Sequence, residues 1–432
     1  MDSDLIRILH IVNEYFKIHY NHLDFKRFNT VKNNWTKYSD KVVLFNCDLR
    51  EYIVEDYLAI ICSGCKVILT DSKYSEDVLE RLKVKFNSVE FITIPSIITS
   101  KTTFPLKECA QLISTSGTTG IGKFVMQSYK NIICNAENIS KYISLDSNSK
   151  TLIDLPLNLA YGNSVLWLSL ITKAKIFICY SNWLTKEYVE FINLNKIDLI
   201  NGTPFLWKNR LKYKWLNSLT HFPLYITQAG GFLEHAYKKE IFNYLPKKTN
   251  FLIMYGQTEA TSRISWYKYH PENVSNRIGH IVSKGKVEIN KNSELIFSGD
   301  NVALGYIYDL NNFKLFKGVI NTGDIVTKSK NGDILITGRN RHLKKINGSR
   351  LDMNDLQGEL TTRLGFNTFV TSDEDKFIIA LDGKQTDIDL YKKIIVDIFK
   401  NLGFLKISFK LIIIEKEFEK NLKGNINWNA YI

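Results

Sequence analysis

Apolar residues in the first forty positions recur at helical spacing: Leu5, Ile8, Leu9, Val12, Tyr15 and Phe16 share one face and predict a helical lead-in. From Lys41 the period shortens. Val42 to Phe45 reads as a strand, about Arg50 to Ser63 as a helix, and Cys65 to Leu69 as a second strand. Short apolar runs recur at 91–94, 151–155, 175–180, 198–200, 224–227 and 251–254, with helical stretches between them. This alternation predicts parallel sheets covered by helices. After about Arg277 short strands and polar turns take over, at 286–289, 294–298, 318–321 and 333–337. Beyond Gly338 strand and helix patterns mix again, over 377–381 and 387–402. The expected class is α/β. A large N-terminal domain over residues 1–339 holds helix-covered, mainly parallel sheets and a small β subdomain, and a small mobile α+β C-terminal domain covers residues 340–432. No internal repeat of fixed period interrupts this reading.

Composition narrows the class further. With 432 residues, 44% hydrophobic and 23% charged, the chain can bury several cores and has an ordinary globular balance. The first residues lack a basic segment followed by an apolar run, and no stretch approaches the roughly 20 apolar residues of a membrane span. A soluble, cytoplasmic protein without a membrane span is expected. The net charge of +13 raises nucleic acid as a partner. Lys, Asn and Ile are abundant throughout, however, and one dense basic cluster stands apart, Arg339 to Arg350; nucleic-acid binding is not expected. Six cysteines are scattered, mostly among apolar residues. Cys62 and Cys65 have the spacing of a redox pair or half a zinc site, yet no second pair completes it, so buried thiols in a reducing compartment are expected.

The chemistry concentrates after Leu112 and Ile113. Thr115, Ser116, Gly117, Thr118, Thr119 and Gly120 form an unbroken hydroxyl- and glycine-rich run, and Lys123 follows after Ile121 and Gly122. Glycines let backbone N–H groups point inward around an anion, hydroxyls add donors without bulk, and the lysine supplies a cation for a polyphosphate. Gly117, Gly122 and Lys123 fit the P-loop pattern except at its last position, where Phe124 replaces the hydroxyl residue that holds magnesium. The run instead resembles the signature loop of the adenylate-forming enzymes, the superfamily of AMP-dependent synthetases and ligases that includes acyl-CoA synthetases, nonribosomal adenylation domains and luciferases.

Other segments resemble the same family in its order. Tyr255, Gly256, Gln257, Thr258 and Glu259 end a strand, where ligands of open α/β sheets sit. The resemblance implies that this turn flanks adenine, that Thr258 touches the α-phosphate, and that Glu259 holds Mg²⁺. Gly230 and Gly231 follow another strand and resemble the turn lining adenine and the acyl pocket. Asp324, after Thr322 and Gly323, resembles the aspartate that accepts both ribose hydroxyls, a task suited to an acceptor-only group. Gly338, Arg339, Lys345, Gly348 and Arg350 fall in register with the family's hinge segment, which implies a ribose contact for Arg339 and a hinge at Arg341. This accounts for the basic cluster without nucleic acid. Arg341 replaces the usual hinge aspartate.

The chain also departs from the pattern. Aligning Gly424 and Ile426 on the C-terminal signature puts Asn425 where the catalytic lysine stands, and the nearest amine is Lys423. Losing one charge-stabilising donor at a transition state costs about 10²–10³ in rate. Lys423 substituting through a shifted loop, slow turnover with Asn425, and loss of adenylation all remain open. The segment from Leu155 to Gly162 resembles the acyl-pocket segment of acyl- and aryl-CoA synthetases, with Leu159 at the usual His position. Gly162 stands where amino-acid-selecting domains carry an aspartate, and an unpaired buried ammonium would be costly, so a fatty, hydroxy or aryl acid is expected rather than an α-amino acid. Tyr161, Gly162 and Val165 are the candidate acyl-pocket residues.

The resemblance implies an acyl-CoA synthetase-like, AMP-forming acid–thiol ligase that uses ATP and Mg²⁺. A carboxylic acid would form an acyl-adenylate with release of pyrophosphate, and CoA or the phosphopantetheine of a carrier protein would then take the acyl group. Residues 255–263 resemble stand-alone proteins of bacterial biosynthetic clusters, some for surface polysaccharides. The alternative is a catalytically impaired nucleotide-binding scaffold or sensor.

Overall fold

The computed structural model describes residues 3–19, 22–72, 74, 76–91, 104–114, 123–273, 276–339, 343–346, 349–373, 376–382, 387–401 and 408–414. It divides into two compact units, residues 1–288 with 296–320, and residues 289–295 with 321–432. The boundary predicted at residue 340 therefore falls inside the second unit.

The lead-in forms two helices, Ser3–Ile18 and Phe25–Thr36. Leu5, Ile8, Val12, Tyr15 and Phe16 are buried, as their spacing predicts, and Leu9 packs against the same core at partial burial. Asp24 caps the second helix by accepting the Arg27 N–H, so the turn between them is set locally.

Two seven-stranded sheets follow in the first unit. In the first, Val42–Asn46, Lys66–Thr70 and Cys109–Ser114 run parallel, and Val89–Glu90 pairs parallel at one edge. Its other half is antiparallel: Phe124–Ser128 turns back beside Cys109–Ser114, then Gly305–Asp309 and Asn312–Leu315 extend it. In the second sheet Lys175–Ile178, Lys150–Ile153, Leu199–Gly202, Tyr225–Gln228 and Asn250–Tyr255 run parallel, before the antiparallel edge strands Ser265–Lys268 and His280–Ile281. The α/β reading holds. The sequence pattern misses Phe124–Ser128, because Gln127 and Ser128 cut its apolar run to three residues although all five are buried. Ser128 closes that strand and caps the next helix, Tyr129–Ser140, through a reciprocal box with Asn131.

In the second unit Val319–Lys328, which begins at the end of the first unit, pairs antiparallel with Ile334–Arg339. Thr368–Asp373, Lys376–Leu381 and Ser408–Ile413 form a three-stranded sheet. Its buried core includes Leu356 and Leu360 of helix Met353–Leu364 and Ile395 and Phe399 of helix Ile388–Asn401. Among the described residues no helix is long and apolar enough to cross a membrane. Cys62 and Cys65 are buried free thiols, and burial pushes both up to about 12.

Candidate functional site

The sequence-predicted segments of the first unit follow the C-terminal ends of parallel strands. Ser114 ends one strand of the first sheet, and Ile153, Gln228 and Tyr255 end three of the second. Ligands of such sheets bind beyond these ends. Thr115, Ser116, Gly117, Thr118, Thr119 and Gly120 lie outside the described residues.

The turn after Tyr255 is tightly determined. A Cβ on Gly256 would sit 2.0 Å from the Ser262 carbonyl oxygen, so only glycine fits where the chain folds back. Thr258–Ala260 form a short 3₁₀ turn, and Thr261 leaves it with a left-handed backbone, φ +48°. Asn301 donates to the Ala260 and Arg263 carbonyls at 2.8 and 2.7 Å, and the Ala303 N–H donates to the Glu259 carbonyl at 2.9 Å. Gln127 donates to the Thr258 carbonyl at 3.1 Å. Near this turn, Gln257 Nε2, Thr261 Oγ1 and Asn135 Oδ1 are buried without a hydrogen-bond partner among the described residues. Such atoms are expected where a ligand or water completes a site.

Two charged groups meet around one ring. The Tyr306 hydroxyl donates to Glu259 Oε1 at 2.6 Å, and Lys123 Nζ lies 3.4 Å from the centroid of the Tyr306 ring. Burial holds the Lys123 ammonium below its ordinary value, opposed by the charge of Glu259. An ammonium just before a strand of the first sheet and a metal-capable carboxylate in the turn after a strand of the second are thus brought together. One carboxylate fits magnesium, which commonly takes one or two protein carboxylates plus substrate phosphates. Among the described residues no group of three or more His, Cys, Asp or Glu side chains offers an all-protein cage.

Tyr161, Gly162 and Val165 lie in the first turns of helix Ala160–Thr172 and are all buried. A Cβ on Gly162 would strike the Pro156 and Leu155 carbonyl oxygens at 2.4 and 2.6 Å, so this glycine permits a close helix–loop approach. The Tyr161 hydroxyl is paired with Thr227 at 2.6 Å, and its phenol is pushed up to about 12 by burial, against the pull of Arg263. Sequence reasoning gives Arg263 no role, yet its guanidinium lies 4.6 Å over the Tyr161 ring and the residue is 3% exposed. Its hydrogen bonds reach the Met254 sulfur, the Ser262 carbonyl and the Ser164 hydroxyl, all uncharged. Among the described residues its hydrogen-bond partners carry no charge, and a cation buried in such surroundings is costly.

Gly230 has φ +84°, and Gln228 braces the turn by donating to the Gly231 carbonyl at 2.8 Å. A Cβ on Gly231 would press on Pro204 at 3.2 Å. A separate cavity of about 440 Å³, lined by Trp183, Arg210 and Trp215 among others, shares no residue with these turns.

In the second unit the strand register places Asp324 directly opposite Arg339. Asp324 is buried, and its N–H donates to the Thr322 hydroxyl at 3.1 Å, which in turn donates to the Leu295 carbonyl at 2.8 Å. Only the backbone of Arg339 is described. Arg341, Lys423 and Asn425 lie outside the described residues.

A family model described as "AMP-binding enzyme" matches residues 50–307. Bacitracin synthase 2 of Bacillus licheniformis is 24% identical over 81% of this chain, which spans 15% of that protein. A 2-succinylbenzoate–CoA ligase of Oceanobacillus iheyensis is 25% identical over 70% of the chain, with 64% of that protein covered. The chain thus spans less than two thirds of either relative. Among solved structures, O-succinylbenzoate coenzyme A synthetase from Bacillus subtilis in complex with ATP and magnesium ion has the same fold, with a TM-score of 0.70 at 17% identity, covering 94% of this chain and 92% of that one.

Proposed function

The chain belongs to the AMP-binding enzyme family, and from that premise we propose that it is an ATP- and Mg²⁺-dependent ligase that activates a carboxylic acid as its adenylate and passes the acyl group to a thiol. The observation that carries this reading is the convergence of Lys123 and Glu259 around Tyr306, beyond the C-terminal ends of the two sheets. In the first step a carboxylate oxygen attacks the α-phosphorus of ATP, the bond to the β-phosphate breaks, and acyl-AMP and pyrophosphate form. Lys123, with residues 115–120, neutralises the departing polyphosphate, and Thr258 donates to the α-phosphate. Glu259 holds magnesium, which when bound draws charge from the phosphate oxygens. Asp324 and Arg339 fix the ribose. In the second step a thiol attacks the acyl carbonyl carbon and AMP leaves, with Arg341 as the hinge that precedes this step. CoA is the acceptor this reading favours, with a carrier protein's phosphopantetheine as the other thiol.

The acid is read from its pocket. Gly162 itself offers no side chain to pair an ammonium, which disfavours α-amino acids. The Arg263 guanidinium over Tyr161 favours an aryl, hydroxy or fatty acid bearing a further acceptor or negative charge. Relatives named for 2-succinylbenzoate, itself a dicarboxylate, support this direction. A place in a bacterial biosynthetic cluster, such as one for surface polysaccharide, suits the resemblance carried by residues 255–263.

Pyrophosphate release with ATP and Mg²⁺, measured across a carboxylate panel with and without CoA, tests the proposal. Release with one acid establishes the ligase, and thioester formation with CoA identifies the acceptor. Asn425 at the lysine position motivates the rival reading, a nucleotide-binding scaffold or sensor. Equal background release by wild type and Lys423→Ala, with ATP binding intact, would decide for the rival.

A further inference from the structure

Tyr306 belongs to no motif that the sequence singles out, and it stands between the two charged groups of the site. Its strand, Gly305–Asp309, pairs antiparallel with Phe124–Ser128, which places Tyr306 opposite Val125, two positions after Lys123. The same segment reaches the other side of the site through the Ala303 N–H, which donates to the Glu259 carbonyl. The ring is held edge-on by Phe316, with centroids 4.7 Å apart at 85°. The Lys123 ammonium lies 3.4 Å from the ring centroid, and the hydroxyl donates to Glu259 Oε1 at 2.6 Å.

A cation over an aromatic face is attracted by the ring quadrupole, and a hydroxyl donating to a carboxylate at this distance makes a short, charge-assisted bond. The ring face binds the ammonium without supplying a negative charge that a polyphosphate would have to displace. The hydroxyl uses one oxygen of Glu259, and a carboxylate has further lone pairs for a cation. Tyr306 can therefore hold both groups in position without occupying them.

On the ligase reading above, we propose that Tyr306 is a positioning residue of the nucleotide site, which seats Lys123 on its ring for the polyphosphate and orients Glu259 through its hydroxyl for the accompanying Mg²⁺. The two functions separate by substitution. Tyr306→Phe keeps the ring and removes the hydroxyl; Tyr306→Leu removes both. Calorimetry with a non-hydrolysable ATP analogue reads nucleotide affinity at varied Mg²⁺, independently of turnover. Tyr306→Phe is expected to raise the Mg²⁺ concentration for half-maximal binding by roughly tenfold, the scale of one hydrogen bond to a charged group, while metal-free nucleotide affinity stays within about twofold. Tyr306→Leu is expected to weaken metal-free nucleotide affinity as well, and Lys123→Ala should then add little in that background, since coupled residues are non-additive. A Tyr306→Phe protein with wild-type Mg²⁺ dependence, or fully additive Tyr306→Leu and Lys123→Ala effects, would overturn the proposal. A merely structural tyrosine would lower thermal stability without moving the Mg²⁺ midpoint. If the couplings appear but no acid yields pyrophosphate, the ligase reading fails and the role of Tyr306 stands; if the wild type binds no nucleotide at any Mg²⁺ concentration, both fail.

Discussion

Gln127 donates its side-chain amide to the backbone carbonyl of Thr258 at 3.1 Å, across 131 residues of chain. The bond is the last of a buried series. Trp167 and Asn163 donate to the Tyr57 hydroxyl at 3.2 and 3.1 Å, Tyr57 donates to Gln111 at 2.6 Å, and Gln111 donates to Gln127 at 2.8 Å. Every side chain in it is at most 4% exposed. The first sheet thereby holds the Thr258 turn of the second in place without a charge. Gln127→Leu would leave the Thr258 carbonyl and the Gln111 amide short of a partner, at a cost of about 2–3 kcal/mol. Thermal unfolding should show a lower midpoint, and pyrophosphate release should fall further than stability alone explains. An unchanged midpoint would remove the series as a support of the turn.

Gly256 stands at a very tight backbone approach in the site. With the Ser262 carbonyl oxygen 2.0 Å from its Cβ position, Gly256→Ala must move backbone rather than a flexible side chain. Overpacking of this kind costs about 1–3 kcal/mol. Nucleotide affinity is expected to drop together with the thermal midpoint, because the displaced segment carries Glu259. Retained affinity in a destabilised protein would show that residues 258–259 keep their place when 262 shifts.

The parallel strands are legible in the sequence because buried apolar runs such as 42–45 and 251–254 are bounded by polar turns, and the motifs at their ends carry recognisable chemistry. Gln111 and Gln127 are not. Inside apolar strands they look like interruptions, and their meaning depends on partners in Asn163 and Thr258 that no local pattern predicts. Tyr306 is hidden for a related reason, since the strand Gly305–Asp309 pairs with one about 180 residues earlier and has no local apolar period. Gly162 is a candidate acyl-pocket residue by its place in the sequence, and that place does not reveal that its Cβ position faces the Pro156 and Leu155 carbonyls. Side-chain chemistry at strand ends is written locally; the couplings between strands are not.

Lys238 is a buried amine, 1% exposed, on helix His235–Tyr244. It donates to the Tyr267 hydroxyl at 3.3 Å, and burial holds it down to about 8 against the pull of Glu234. Below that value both folded and unfolded states are protonated and the full cost of burying the charge is present. As pH rises from about 8 toward the ordinary 10.5, the folded state releases its proton first and the cost declines. Lys238→Met should therefore stabilise by up to about 3 kcal/mol at neutral pH, and by roughly half as much near pH 9.5. Comparing the midpoints of the two proteins at each pH cancels titrations they share. A gain that grows with pH would contradict burial as the cause.

Arg263 offers a sharper separation of stability from function. Its guanidinium is buried among the Tyr161 ring, the Met254 sulfur and neutral oxygens. Replacing a buried ionic group by an apolar side chain of similar volume is often neutral or stabilising. Arg263→Met should then unfold at the wild-type midpoint or above it. If the guanidinium meets an acceptor on the acid, the KM for that acid should rise roughly ten- to a hundredfold, the worth of a hydrogen bond to a charged group, while nucleotide affinity remains within about twofold. The pairing of unchanged or higher stability with a selective loss for the acid cannot come from misfolding. The opposite pairing, a midpoint lowered by several degrees with an unchanged KM, would assign Arg263 to holding Ser164 and Ser262 together and remove it from acid recognition.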